Sequence, residues 1–151
     1  MGGLFSLPKN SVAAKIKLLV EQFEIGTWID RLTEDYSQGM RQRIAICSAL
    51  LHDPKIIIID EPMIGLDPRS AKIVKDVLKR KTIDEKVTVF MSTHSLTVAE
   101  ELCTSVGIIH QGRLIWNAGI VELNSIVDSS NTNLEKIFLE LTGENESGPP
   151  L

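Results

Sequence analysis

The chain has 151 residues, 43% apolar and 24% charged, with a formal net charge of −4, the balance of one soluble globular domain large enough to bury a core. The acidic balance argues against non-specific nucleic-acid binding, which wants a basic face, and an aromatic content of 5% is too low for a base-stacking platform. Apolar runs such as Ile56–Ile59 fall far short of the roughly 20 residues that span a bilayer, and Met1–Ser6 has neither a charged n-region nor a long apolar h-region, so no direct membrane insertion and no secretory signal are expected.

Ser11 is the expected cap of a first helix with an apolar stripe at Val12, Ile16, Leu19, Val20 and Phe23, ended by Gly26. A polar stretch around Arg31–Asp35 leads to Tyr36-Ser37, where Ser37 can cap the next helix. That helix carries Arg41, Gln42 and Arg43 early, then Ile44, Ala45, Ala49 and Leu50, and its small residues Ala45, Ser48 and Ala49 suggest close packing; His52-Asp53-Pro54 stops it. Ile56–Ile59 is β-branched and uniformly apolar, which predicts a central parallel strand buried on both faces.

Asp67-Pro68 predicts a helix start, with Asp as cap and Pro at the first helical position, and Ile73, Val74, Val77 and Leu78 facing inward. Val87–Met91 is the next strand, ending at Ser92-Thr93-His94. Thr97-x-x-Glu100 fits a capping box for a short helix ending near Leu102. Val106–His110 and Leu114–Trp116 flank Gln111-Gly112-Arg113, a hairpin. After Gly119 the pattern turns helical, with a stripe at Leu134, Ile137, Phe138 and Leu141, and the tail from Gly143 to Leu151 is expected to be disordered. Cys47 and Cys103 are isolated, without metal-ligand spacing or a CxxC pair, and read as small packing residues of a reducing compartment.

Four features carry chemistry. Ser37-Gln38-Gly39-Met40 opens a helix, where unpaired N–H groups and the helix dipole attract an anion such as phosphate. The Ile56–Ile59 strand ends on Asp60-Glu61, where one carboxylate can hold Mg²⁺ through water while its neighbour orients and deprotonates an attacking water. An acidic strand end running into a Pro62 turn is the plain structural alternative. His94 closes the next strand, where it is either a loop residue or a hydrogen-bond donor to the same phosphate. Gly65-Leu66-Asp67 makes a tight loop between the carboxylates and the following helix, where Asp67 is either a plain helix cap or also a nucleotide-binding residue. No Ser/His/Asp triad spacing, HExxH or zinc pattern accompanies them.

From about Ser11 to Gly119 this combination resembles the ATP-binding cassette (ABC) ATPases. Tyr36-Ser37-Gln38-Gly39-Met40 is similar to their signature loop, Leu-Ser-Gly-Gly-Gln, departing at Gln38 and Met40 but keeping the serine and second glycine that contact phosphate in the family. Ile56–Glu61 resembles the Walker B strand, implying Asp60 on Mg²⁺ and Glu61 as catalytic base. Gly65-Leu66-Asp67 resembles the D-loop and His94 the switch histidine. The form Tyr-Ser-x-Gly-Met-Arg-Gln-Arg and the Leu134–Thr142 helix resemble bacterial exporter ATPases that pair with a separate permease.

The implied fold is α/β: a partial P-loop ATPase-type parallel sheet, with a small helical subdomain at the N-terminal end and a β-hairpin plus helix at the C-terminal end. The implied division is 1–54 for the helical subdomain with the signature loop and helix, 55–119 for the Walker B, D-loop and switch part of the core, 120–142 for a helical extension and 143–151 for the tail. ATP and Mg²⁺ are the implied ligands, both only in a complete dimeric site. A membrane permease and a second ATP-binding subunit are the implied partners, with no nucleic acid, and the location is cytoplasmic, peripheral to the membrane through the permease.

The family's Gly-x-x-x-x-Gly-Lys-Ser/Thr phosphate loop is nowhere in the 151 residues. In P-loop enzymes its amides and lysine cradle the β- and γ-phosphates, so Asp60, Glu61 and His94 are expected to lack a nucleotide in cis and the chain alone to be inactive. An exposed sheet edge and marginal stability are expected with it. The alternative role is a non-catalytic partner whose Ser37 and Gly39 cap ATP held by an intact subunit. The ABC-type head of a chromosome-maintenance or DNA-repair protein shares these motifs, but long coiled coils and a basic surface are not seen.

Overall fold

The computed structural model describes residues 9–120 and 134–143, with side chains from Val12 onward. All but the first residue of the expected 143–151 tail, and 121–133 of the expected 120–142 extension, lie outside the described residues. The chain forms two compact units, Met1–Thr93 and His94–Leu151.

The first unit opens with helix α1, Lys9–Gln22, so Ser11 lies inside the helix rather than at its cap. The helix stops earlier than Gly26. Glu24 takes the left-handed conformation (φ 50°), the Glu24 N–H donates to Glu21 O at 3.2 Å and the Ile25 N–H to Val20 O at 3.1 Å. This pair of bonds is a Schellman closure, and the side chain that follows it, Ile25, is fully buried. Glutamate therefore does what Gly26 was expected to do, because burying Ile25 offsets a left-handed non-glycine residue. Leu19 and Phe23 of the expected stripe are buried, whereas Ile16 is exposed.

A single 3-10 turn, Thr33–Asp35, precedes α2, Gln38–Leu50. Ile46 and Leu50 are its buried residues. Ala45 is exposed, so close packing of small residues does not extend to it. Strand β1, Ile56–Asp60, pairs in parallel with β2, Thr88–Ser92, in the register Ile56↔Thr88 to Asp60↔Ser92. Helix α3, Pro68–Ile83, makes the crossover, as a parallel pair requires. The core gathers Phe23, Ile25, Leu50, Ile57, Ile59, Val74, Val77 and Leu78.

The expectation of a strand buried on both faces fails. Burial along β1 alternates, with Ile57 and Ile59 inside but Ile56 63% and Ile58 77% exposed, and Phe90 beside Ile58 is 65% exposed. One face of this two-stranded sheet meets the helices, and the other carries three large apolar side chains in contact with water.

In the second unit Ser95 caps α4, Leu96–Leu102, its hydroxyl accepting the Val98 N–H at 3.4 Å. The expected Thr97–Glu100 capping box does not form. The Glu100 carboxylate instead accepts the N–H of Leu134 at 3.2 Å, capping helix α5, Leu134–Thr142. Strands β3, Ser105–His110, and β4, Arg113–Gly119, form the expected antiparallel hairpin, with a bulge at Ile108/Ile109. Gln111 and Gly112 both have positive φ (48° and 74°), the geometry of a two-residue type I′ turn. Ala99, Ile108 and Leu134 make this unit's core, with Trp116, Ile137 and Phe138 against it, while Leu141 at the end of the stripe is exposed.

Candidate functional site

Tyr36 anchors the loop that opens α2. Its ring meets Trp28 edge-on at 5.2 Å and its hydroxyl donates to Ile29 O at 2.7 Å. The Arg43 guanidinium makes a cation–π contact 5.0 Å from the Trp28 ring centre and donates to Phe23 O at 3.3 Å, tying α2 to the segment that follows α1. Ser37 then caps α2, its hydroxyl accepting the Met40 N–H at 3.2 Å, and Ser37 and Gln38 face solvent. A helix start whose first residues face solvent is suited to an anion.

Gly39 and Gly65 bring this loop against the turn that follows β1. A Cβ on Gly39 would lie 2.8 Å from Gly65 O, and one on Gly65, where φ is +70°, 2.7 Å from the Gln38 side chain. The expected loop residues and the expected Gly65–Asp67 turn are thus in direct contact. Asp67 caps α3: its carboxylate accepts the Ser70 N–H at 3.0 Å and the Ser70 hydroxyl at 2.6 Å. The Ser70 hydroxyl, then the Ser70 N–H, hold the Asp67 carboxyl below the usual carboxylate range.

At the end of β1, Asp60 is exposed and accepts a hydrogen bond from the Ser92 hydroxyl of β2. Glu61 has left-handed backbone, φ 46°. Its N–H donates to Ser92 O at 3.1 Å, its carbonyl accepts the Ile64 N–H at 3.1 Å and Gln42 Nε2 at 3.2 Å, and its carboxylate accepts the Thr93 hydroxyl at 3.4 Å. Ser92, Thr93 and Gln42 were not singled out in the sequence. The run Ser92-Thr93-His94 at a strand end was the available signal for the first two. His94 is exposed and opens the second unit, just before the Ser95 cap.

Among the described residues no three His, Cys, Asp or Glu side chains cluster to hold a metal ion. The Asp60 carboxylate is exposed and bonded by Ser92 at one of its two oxygens, which would suit an ion that keeps several waters, the habit of Mg²⁺. A concavity of about 620 Å³ is lined by Glu24, Trp28, Arg43, Asp67 and Arg69, among others, and neither Asp60 nor Glu61 lines it. No helix among the described residues is long and apolar enough to cross a membrane.

Residues 17–100 match the family described as "AAA domain, putative AbiEii toxin, Type IV TA system". The chain is 34% identical over 132 residues to the ABC transporter ATP-binding protein NatA of Bacillus subtilis, a match covering 87% of this chain and 53% of NatA. A solved structure of the ATP-binding subunit of an ABC transporter superposes with a TM-score of 0.80 at 26% identity, covering 93% of this chain and 58% of that one. The dimeric ATP-binding cassette MJ0796, bound to ADP and Pi, superposes with a TM-score of 0.59 at 25% identity over 67% of this chain and 45% of that one. The chain spans about half the length of the curated relatives it matches. An anion-suited helix start braced on a glycine turn, beside a strand ending in two carboxylates, sits on the α/β frame of these neighbours, and the chain belongs to the family of ABC transporter ATP-binding proteins.

Proposed function

We propose that the chain is the part of an ABC transporter ATP-binding subunit that carries the signature loop, Walker B strand, D-loop and switch histidine, with ATP as substrate in a site completed by another polypeptide. The observation that supports this most is the seating of the exposed Ser37–Gly39 helix start on the Gly65 turn, with the Glu61 backbone hydrogen-bonded to the same helix. In this reading 1–54 is the helical subdomain, 55–119 the catalytic core portion, 120–142 an extension and 143–151 a tail. The exporter-type assignment rests on the Tyr36–Arg43 form and the Leu134–Thr142 helix.

The residues take these roles. Ser37, Gln38, Gly39 and Met40 present the helix start to the terminal phosphate of ATP, and Asp67 belongs to the same nucleotide-binding set while capping the helix that follows the Gly65 turn. Glu61 accepts a proton from the attacking water, and His94 donates a hydrogen bond to phosphate. Asp60 would supply an oxygen ligand for Mg²⁺, whose charge would neutralise the phosphates when bound. With no phosphate loop among the 151 residues, turnover requires a partner that supplies one, and the natural setting is a second ATP-binding subunit and a permease at the cytoplasmic side of a membrane. The dimeric state named for MJ0796 supports this arrangement.

The exposure of Ser37 and Gln38 equally favours a non-catalytic role, capping ATP on an intact subunit. The chain is mixed with an ATP-binding subunit that carries its own phosphate loop, and ATP turnover is followed. A rise or fall in rate, abolished by Ser37→Glu, is expected, and no effect in either direction would overturn capping in trans. A rise that also depends on Glu61 selects the catalytic role, and a change indifferent to Glu61→Gln selects the capping one.

A further inference from the structure

A glutamate with φ 46° adopts a conformation that its Cβ disfavours, and it persists only where the surroundings over-determine it. At least four hydrogen bonds to Glu61 do so. Two come from the β2 end, through Ser92 O and the Thr93 hydroxyl, and one from its own turn, through the Ile64 N–H. The fourth comes from α2, where Gln42 Nε2 donates to the Glu61 carbonyl. Gln42 stands one helical turn beyond Gln38, and Gln38 and Gly39 are pressed against Gly65 with no room for an added methyl group. Helix α2 is thus held at its start by the glycine turn and reaches the Glu61 backbone through the Gln42 side chain.

We infer that Gln42 is a positioning residue that keeps Glu61 in its left-handed conformation and aims its carboxylate. The proposal deepens the reading of Glu61 as base and rests on it for its catalytic meaning, but its geometry is tested without nucleotide. The full chain is labelled with ¹³C and ¹⁵N and compared with Gln42→Met, which keeps length without a donor, and Gln42→Lys, which keeps a donor. The Met variant is expected to move the Glu61 Cα and carbonyl shifts away from left-handed values. It should also speed Ile64 amide exchange at least tenfold, with Val74 and Val77 unchanged and with Lys restoring both readouts toward the original. Unchanged Glu61 shifts in the Met variant, or no recovery with Lys, would overturn the proposal.

Should Gln42→Met destabilise the chain too far for these readouts, its loss of thermal midpoint is compared with that of the same substitution made on Glu61→Gly, since glycine adopts positive φ without help. A smaller loss of thermal midpoint in that background supports the inference, and an equal loss contradicts it. Failure of ATP binding would strike the functional reading and leave these shifts as they are, so the two can fail separately.

Discussion

Gly39 and Gly65 face each other across the junction of α2 and the turn after β1, and neither position has space for a methyl group. A Cβ on Gly39 would lie 2.8 Å from a backbone oxygen, which cannot swing aside, whereas one on Gly65 would meet the flexible Gln38 side chain. At Gly65 the clash is compounded by φ +70°. Both Gly39→Ala and Gly65→Ala are therefore expected to destabilise the first unit by about 1–3 kcal/mol, the usual cost of overpacking. Urea unfolding checks this; a change below about 0.5 kcal/mol at either position would contradict the contact.

Burial of the Cys47 thiol pushes its pKa up to about 11. The thiolate is the reactive form, so its fraction at pH 8 falls about a hundredfold below that of an ordinary cysteine. Alkylation of Cys47 is expected to be slower by that factor at pH 8 and to accelerate as pH rises toward 11. Mass spectrometry of iodoacetamide-treated protein measures it. Reaction as fast as for a free thiol would mean that Cys47 is not packed against the core.

Asp67 carries the pH dependence of the α3 cap. Its carboxyl is held below the ordinary value of 3.8 by the Ser70 hydroxyl and N–H, so its contribution is full above that value and is lost as pH falls through the lower folded-state pKa. The stability difference between the chain and Asp67→Ala should be constant from pH 8 to 5 and shrink only below about pH 4. A difference that shrinks between pH 7 and 5 would contradict this assignment.

The uncovered face of β1 and β2 is expected to drive self-association. Ile56, Ile58 and Phe90 stand side by side there in contact with water, and sheets with exposed apolar faces and open edges associate. Ile58→Lys should shift sedimentation toward monomer while changing unfolding free energy by less than about 0.5 kcal/mol, as expected for an exposed position. An unchanged sedimentation profile would show that the face is inert.

Local chemistry was legible in the sequence. The Ser37 and Asp67 caps and the Gln111-Gly112 turn depend on residues within three or four positions, and each appears where expected. The helix stop at Glu24 and the cap at Ser95 were missed because packing of Ile25 and competition among neighbouring hydroxyls decide them. The uniform Ile56–Ile59 run implied two covered faces, but covering a face is a property of what packs there, not of the strand. In the candidate site, the carboxylates and loops could be named individually. The bonds from Gln42 and Thr93 to Glu61 span 19 and 32 positions, and no periodicity encodes such contacts.

The most direct measurement is equilibrium binding and turnover of Mg²⁺-ATP by the purified 151-residue chain across a range of protein concentration. No saturable binding and no turnover are expected of the chain alone, and, in a complex that does turn over through this chain's Glu61, a roughly 10²- to 10⁴-fold loss is expected on Glu61→Gln, the scale of a missing general base. Saturable binding by the chain alone, with turnover abolished by Glu61→Gln, would contradict it and mean that these residues build a phosphate site of their own.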